Sequence, residues 1–258
     1  MELWHIALIA LGGFAGGAMN ALAGGGTFFS FPALLAAGVT PVSANATNAV
    51  ALWPASLATA WALRPELRRL PWRDYLRPLL IAAAVGGLLG GLLLLLTSDQ
   101  AFFTLIPWLL LIATLLFTFS RVIGQAVERL ARRPREPGRL GPVGFICQWL
   151  VSVYGGFFGA GMGIMMIASL AIAGRTQVVE INAIKSLMSS VIYSVAALTF
   201  IIAGAVHWPA LAIMLGGTLL GGYCGGLFAR ALPDAWLRAL VILIGWGLTL
   251  FYFYEVYH

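Results

Sequence analysis

Charge is what this chain has least of. Only 9 % of its 258 residues are Asp, Glu, Lys or Arg, where an average globular chain has about 25 %. A water-soluble fold of this length could not cover its surface with so few charges, so soluble enzymes and soluble binding modules are excluded. Cysteine occurs twice, at Cys147 and Cys224, each inside an apolar stretch. Neither a disulfide framework nor a metal-ligand spacing follows from that pair. The three histidines, His5, His207 and His258, sit at segment ends and form no ligand cluster, so no metal and no cofactor is expected. The N-terminal MELWHIAL has no basic stretch ahead of its apolar run, so a cleaved signal peptide is not expected.

Buried acid is missing as well. Glu2, Glu66, Asp74, Asp99, Glu128, Glu136, Glu180, Asp234 and Glu255 all lie at or near the ends of apolar segments. The usual carboxylates of an intramembrane proton relay or cation path are therefore absent. An anion leaving a negative cell interior needs neither. Lysine occurs once, at Lys185, the one basic residue set within an apolar segment. A charge at mid-membrane costs at least ~2.5–3.5 kcal/mol on insertion scales, which makes such a residue a functional candidate. The competing reading is that Lys185, five residues after Glu180, snorkels to the interface.

What is present is apolar residue in bulk, 61 % of the chain. Apolar runs fall at roughly 3–22, 27–38, 44–63, 76–97, 101–120, 141–158, 162–174, 180–204, 209–229 and 237–256. Most are long enough to cross a ~30 Å hydrocarbon core. The chain reads as an all-α polytopic membrane protein with the lipid bilayer as its partner. The net charge of +6 resides in short joints between spans, where basic residues set orientation. It is not a nucleic-acid footprint.

Two runs, 27–38 and 162–174, are too short to span. Each follows a glycine-rich break, Ala23-Gly24-Gly25-Gly26 and Gly159-Ala160-Gly161-Met162-Gly163. That pattern predicts broken or re-entrant helices. The two breaks superpose at an offset of 137, which also lays Asn45-Ala46-Thr47-Asn48 over Asn182-Ala183-Ile184-Lys185. At a slightly smaller offset the Gly-Gly repeats of 86–91 and 221–226 match. These repeats serve close helix packing or a dimer face. The order of the matches predicts a duplication, 1–121 and 141–258, joined by an arginine-rich linker at 122–140.

The arginines orient the halves. Arg64, Arg68, Arg69, Arg73 and Arg77 crowd the joint at 64–77, and Arg121, Arg129, Arg132, Arg133, Arg135 and Arg139 crowd the linker region. Both belong in the cytoplasm. In the second half the charge pattern reverses, with Arg230 and Arg238 at the joint matching the arginine-free 97–100. If each break is the tip of a hairpin, six spans and two hairpins place all fourteen arginines inside and both termini outside. If the broken pairs cross, Arg175, Arg230 and Arg238 fall outside. The first arrangement is expected: two inverted repeats, each a glycine-broken hairpin plus three transmembrane helices.

A helix that starts within the membrane presents unpaired N–H groups and the positive end of its dipole, and glycine admits a ligand to that backbone. Two such starts, arriving from opposite faces, are expected to form a site for a small anion where the tips meet, exposed alternately as one repeat moves against the other; close helix packing is the alternative reading. Backbone donors are expected from Gly24, Gly25, Gly26, Thr27, Gly161, Met162 and Gly163. Asn182, Ser186, Ser189 and Tyr193 share one helical face beside Lys185, and Asn45, Asn48, Ser56 and Thr59, with Thr47 alongside, approximate the same stripe. Uncharged amides and hydroxyls can replace an oxyanion's hydration shell and still release it, although interhelical hydrogen bonding is the commoner use of a lone Ser or Thr.

Together these residues resemble the TauE/SafE family of sulfite-exporter-like transporters. The likeness is carried by Gly24-Gly25-Gly26-Thr27-Phe28-Phe29-Ser30-Phe31-Pro32-Ala33-Leu34-Leu35 and Val39-Thr40-Pro41-Val42-Ser43-Ala44-Asn45-Ala46-Thr47-Asn48. In the second half Gly204-Ala205-Val206-His207-Trp208 and Gly216 to Arg238 carry it. In two places the chain departs from the pattern: Gly161-Met162-Gly163 interrupts the usual glycine run, and Ser169 stands where Pro32 stands in the first half. The resemblance implies export of a small anion, chiefly sulfite or an organosulfonate, through a bacterial cytoplasmic membrane. The alternatives are a transporter or channel for another small organic anion such as a carboxylate, or a non-transporting scaffold. An intramembrane enzyme would need a nucleophile with its base or a metal cluster, and the sequence offers neither.

Overall fold

A computed structural model describes residues 2–22, 25–68, 70–131, 141–172, 178–228 and 234–258. Gly24, Arg69, Arg132, Arg133, Arg135, Arg139, Arg175 and Arg230 lie outside those residues. Among the described residues the chain is helical and has no strand. The first half holds α1 (Leu3–Leu22), α2 (Thr27–Ala36), α3 (Pro41–Ala62), the short α4 (Arg64–Leu67), a π-helical turn at Trp72–Leu76, α5 (Arg77–Leu96) and α6 (Asp99–Thr118). After α7 (Ser120–Ala131) come α8 (Pro142–Phe157), α9 (Met162–Ile172), α10 (Val178–Ile202), α11 (Trp208–Phe228) and α12 (Asp234–Tyr257).

Local chemistry sets the boundaries. The α2 helix stops at Gly38, whose φ of +82° closes a left-handed cap with the Val39 amide on the Leu34 carbonyl at 3.1 Å. Pro41 then opens α3 at a position where no amide is needed. Ser98 caps α6 by accepting from the Ala101 amide at 3.2 Å, with Asp99 in the first turn. The helix α7 extends into the arginine-rich linker expected at 122–140. Its amphipathic sequence SRVIGQAVERLA explains why: apolar and charged residues recur at helical spacing.

Among the described residues, five helices are long and apolar enough to cross a bilayer: Leu3–Asn20, Trp72–Leu96, Asp99–Thr118, Glu180–Ile202 and Trp236–Tyr257. Large apolar side chains face outward along them, for example Leu92, Leu93, Leu243 and Leu250. Only lipid suits such a surface, and the chain is an integral membrane protein.

Glycine fixes the tightest contacts, and those contacts link the halves. A Cβ on Gly17 would lie 2.2 Å from the Thr218 carbonyl oxygen, and one on Gly221 would lie 1.9 Å from that of Phe14. Gly13 meets Met214 and Gly225 meets Ala18 in the same register, so α1 and α11 run side by side in the same direction. The pair α5 and α8 repeats this arrangement. Gly86 abuts Ser152, Gly90 abuts the Val153 carbonyl, and Gly156 abuts Gly87. The Gly-Gly repeats therefore pack within the chain. The helix α12 returns antiparallel along α6, with Thr114 near Thr249 and Trp108 near Tyr257.

Candidate functional site

The first break folds α2 back along α1. Gly26 is buried there, and a Cβ on it would come within 2.4 Å of the Gly16 carbonyl oxygen, so only glycine lets the two arms close. Ser30 donates to the Gly26 carbonyl at 3.0 Å and to Asn48 Oδ1. Asn48 in turn donates to Thr27 Oγ1 at 3.5 Å. Thr27 also lies within reach of the Tyr193 hydroxyl.

The second break depends on left-handed backbone. Gly159 and Gly161 have φ of +82° and +74°, where a side chain would cost roughly 1–2 kcal/mol each. Tyr154 holds the turn by donating to the Ala160 carbonyl at 2.7 Å. The Met162 amide donates to the Gly159 carbonyl at 3.3 Å, so one of the expected free donors is engaged within the turn. Both breaks rest on one stretch of α6, Gly25 against Phe117 and Gly161 against Ala113 and Leu116.

Beside the second break lies a half-enclosed cavity of about 90 Å³. The second half lines it with Gly159, Met162, Gly163, Lys185, Ser186, Ser189 and Tyr193. Asn20, Ser56 and Thr59 line it from the first half. Thr59, exposed and three residues from the end of α3, stands at the mouth on the face that carries Arg64 and Arg68. Tyr193, 8 % exposed, lies at the inner end. The stem of Lys185 passes Gly163, with Cδ 3.6 Å from where a Cβ would stand. Among the described residues no carboxylate lines this space, and no group of three or more His, Cys, Asp or Glu could hold a metal there.

Of the expected site residues, Met162, Gly163, Lys185, Ser186 and Ser189 therefore share the cavity. Gly25, Gly26, Thr27, Thr47, Asn48 and Gly161 are buried outside its lining. Asn182 is half-buried and also outside it. Asn45 donates to the Phe157 carbonyl at 2.7 Å, and Thr47 accepts from the His207 amide at 3.0 Å. Asn20 is a lining residue that sequence reasoning passed over. Its signal was being the one amide side chain in the 3–22 run, three residues ahead of the first break. Gln148 was also overlooked. It is 1 % exposed and ties α8 to α9 and α10 through Ser169 and Met188.

The whole chain has known counterparts. The model of the family described as "Sulfite exporter TauE/SafE" matches residues 8–252. The chain belongs to the TauE/SafE family. Among similar proteins, a "Probable membrane transporter protein" of Haemophilus influenzae is 27 % identical over 246 residues, covering 95 % of this chain and 92 % of that one. The "Probable membrane transporter protein YfcA" of Escherichia coli K12 is 26 % identical over 244 residues, 94 % of this chain and 85 % of the relative. The "Probable membrane transporter protein ORF9" of a Sinorhizobium species is 26 % identical over 249 residues, covering 95 % and 91 %. No solved structure matches. This TauE/SafE chain is a membrane transporter.

Proposed function

We propose that the protein exports a small anion of the sulfite or organosulfonate class across a bacterial cytoplasmic membrane, by alternating access to the cavity beside the second break. One observation carries this reading: the cavity combines the only lysine of the chain with hydroxyls and an amide, and no described carboxylate faces it. A cation pathway would have the opposite chemistry. Ser56, Thr59, Ser186 and Ser189 replace part of the anion's water shell. The ammonium of Lys185 supplies charge, and the start of α9 at Met162 and Gly163 adds the positive end of a helix dipole.

The running directions of the helix pairs support two inverted repeats, 1–121 and 141–258. The helix α3 is parallel to α11 through the contacts of Thr47 with His207 and of Thr218 with Ala51. The helix α5 is parallel to α10 through the contacts of Gly87 with Ile192 and of Gly91 with Ala196. Short connections make α10 antiparallel to α11, so α3 opposes its counterpart α10. Rocking one repeat against the other would expose the site alternately. A membrane potential drives an anion outward at about 2.3 kcal/mol per charge per 100 mV.

Purified protein in liposomes tests the reading against a panel of sulfite, sulfonates, sulfate and small carboxylates, with and without imposed voltage. Sulfite or a sulfonate should cross faster than through protein-free liposomes. Flux confined to carboxylates would replace the substrate class, and no anion flux would overturn the proposal.

A further inference from the structure

The cavity's exposed lining residue is Thr59, near the end of α3 that leads into Arg64 and Arg68. On the side away from those arginines a cluster of aromatic rings adjoins the lining. Phe158 adjoins the lining residue Gly159 and is 4 % exposed; Phe31 and Phe102 are fully buried. The ring centres of Phe31 and Phe158 are 5.5 Å apart, those of Phe102 and Phe157 are 5.6 Å apart, and Phe102 stands 6.3 Å from both Phe31 and Phe158. All four contacts are edge-on, the favoured geometry for packed aromatic pairs. Phe102 is in the first turn of α6, at the α5–α6 turn, so the cluster lies between the cavity and the arginine-poor face.

The rings come from three independent pieces. Phe31 rides on the short arm of the first hairpin, Phe102 on α6, and Phe157 and Phe158 on the end of α8 where the second hairpin unwinds. The carbonyl of Phe157 belongs to a helix end, which has no partner within its own helix. It accepts instead from Asn45 Nδ2 at 2.7 Å. That bond joins α3 of the first half to the break of the second, and Asn45 is only 2 % exposed.

We propose that Phe31, Phe102, Phe157 and Phe158 form the closed gate on the face opposite the arginines, and that Asn45 is the positioning residue that latches it. Opening toward that face separates the rings and breaks the Asn45–Phe157 bond. A weakened latch or a thinned cluster then shifts the population toward the state open on the arginine-poor side.

The inference rests on the alternating access proposed above, but its test needs no substrate. Ser189→Cys, in a chain also carrying Cys147→Ala and Cys224→Ala, places one thiol in the cavity. A membrane-impermeant maleimide is applied to either face of sealed vesicles holding the full chain. With the gate intact, labelling from the arginine-bearing face should be faster. Adding Asn45→Ala or Phe158→Ala should lower the ratio of the two rates at least ten-fold by raising reaction from the other face. Should Phe158→Ala not fold, Phe102→Leu, which keeps an apolar side chain, carries the same expectation. A ratio that falls less than this in the variants that fold overturns the gate. Anion flux alongside an unchanged ratio would sink the gate alone; absent flux alongside the expected ratio would sink the anion reading alone.

Discussion

Two glycines five residues apart on α11 should respond in opposite ways to the same added methyl. At Gly221 the new Cβ would stand 1.9 Å from the Phe14 carbonyl oxygen, 1.1 Å inside the 3.0 Å that real Cβ atoms essentially never breach. Backbone lies on both sides of this contact, so no rotamer relieves it and the helices must part. Parting also loosens Gly217 against Ala10 and Gly225 against Ala18. Overpacking of this kind costs about 1–3 kcal/mol, occasionally more. Gly216 has nothing within 4 Å, and there Ala gains roughly 0.8–1 kcal/mol of helix propensity. That gain is common to both positions and cancels, so Gly221→Ala should be about 1–3 kcal/mol less stable than Gly216→Ala. Unfolding in mixed micelles by added SDS, followed through tryptophan fluorescence, measures the difference. Equal midpoints, or a lower one for Gly216→Ala, would refute the packing of α1 against α11.

The site and its breaks give further expectations. Lys185→Gln should reduce anion flux into liposomes at least ten-fold, whereas Lys185→Arg, which keeps the charge on a bulkier head, should retain a measurable part; equal flux in Gln and wild type would remove the lysine from the site. Tyr154→Phe deletes the donor to Ala160 and should cost about 0.5–1.5 kcal/mol in the same SDS titration, with slower flux. Gly161→Ala should lose roughly 1–2 kcal/mol through its left-handed backbone, read from the same midpoint. For an uncoupled singly charged anion, 100 mV should sustain about a fifty-fold concentration ratio, the equivalent of ~2.3 kcal/mol; anion accumulation in vesicles clamped by potassium diffusion reads it.

Much of the helix plan was legible because membrane spans announce themselves by length and hydropathy. The runs at 27–38 and 162–174 correspond to α2 and α9, and the glycines ahead of them do break the chain. The amphipathic α7 and the turn at Trp72–Leu76 were not, because charges such as Arg73 and Asp74 hide a helix from an apolar-run reading. Of the stripe Asn182, Ser186, Ser189 and Tyr193, the last three line the cavity because α10 presents that face to it, and Asn182, one turn nearer the helix start, does not. Asn45 shares that stripe pattern in α3, yet its amide reaches a carbonyl across the molecule. Sequence spacing places a side chain on a face and says nothing of which distant backbone group meets it. Likewise the Gly-Gly repeats gave two readings, and only the register of Gly86 on Ser152 and Gly221 on Phe14 separates them.

The exchange of partners between α1 and α11, and between α5 and α8, means that neither half owns its tightest seam. Each opening helix is clasped by the other half, so a chain severed in the linker would leave two fragments with raw glycine grooves. Such fragments should regain a working protein only when made together in one membrane. The covalent joint supplies proximity, while the grip between the halves is already written into the glycines.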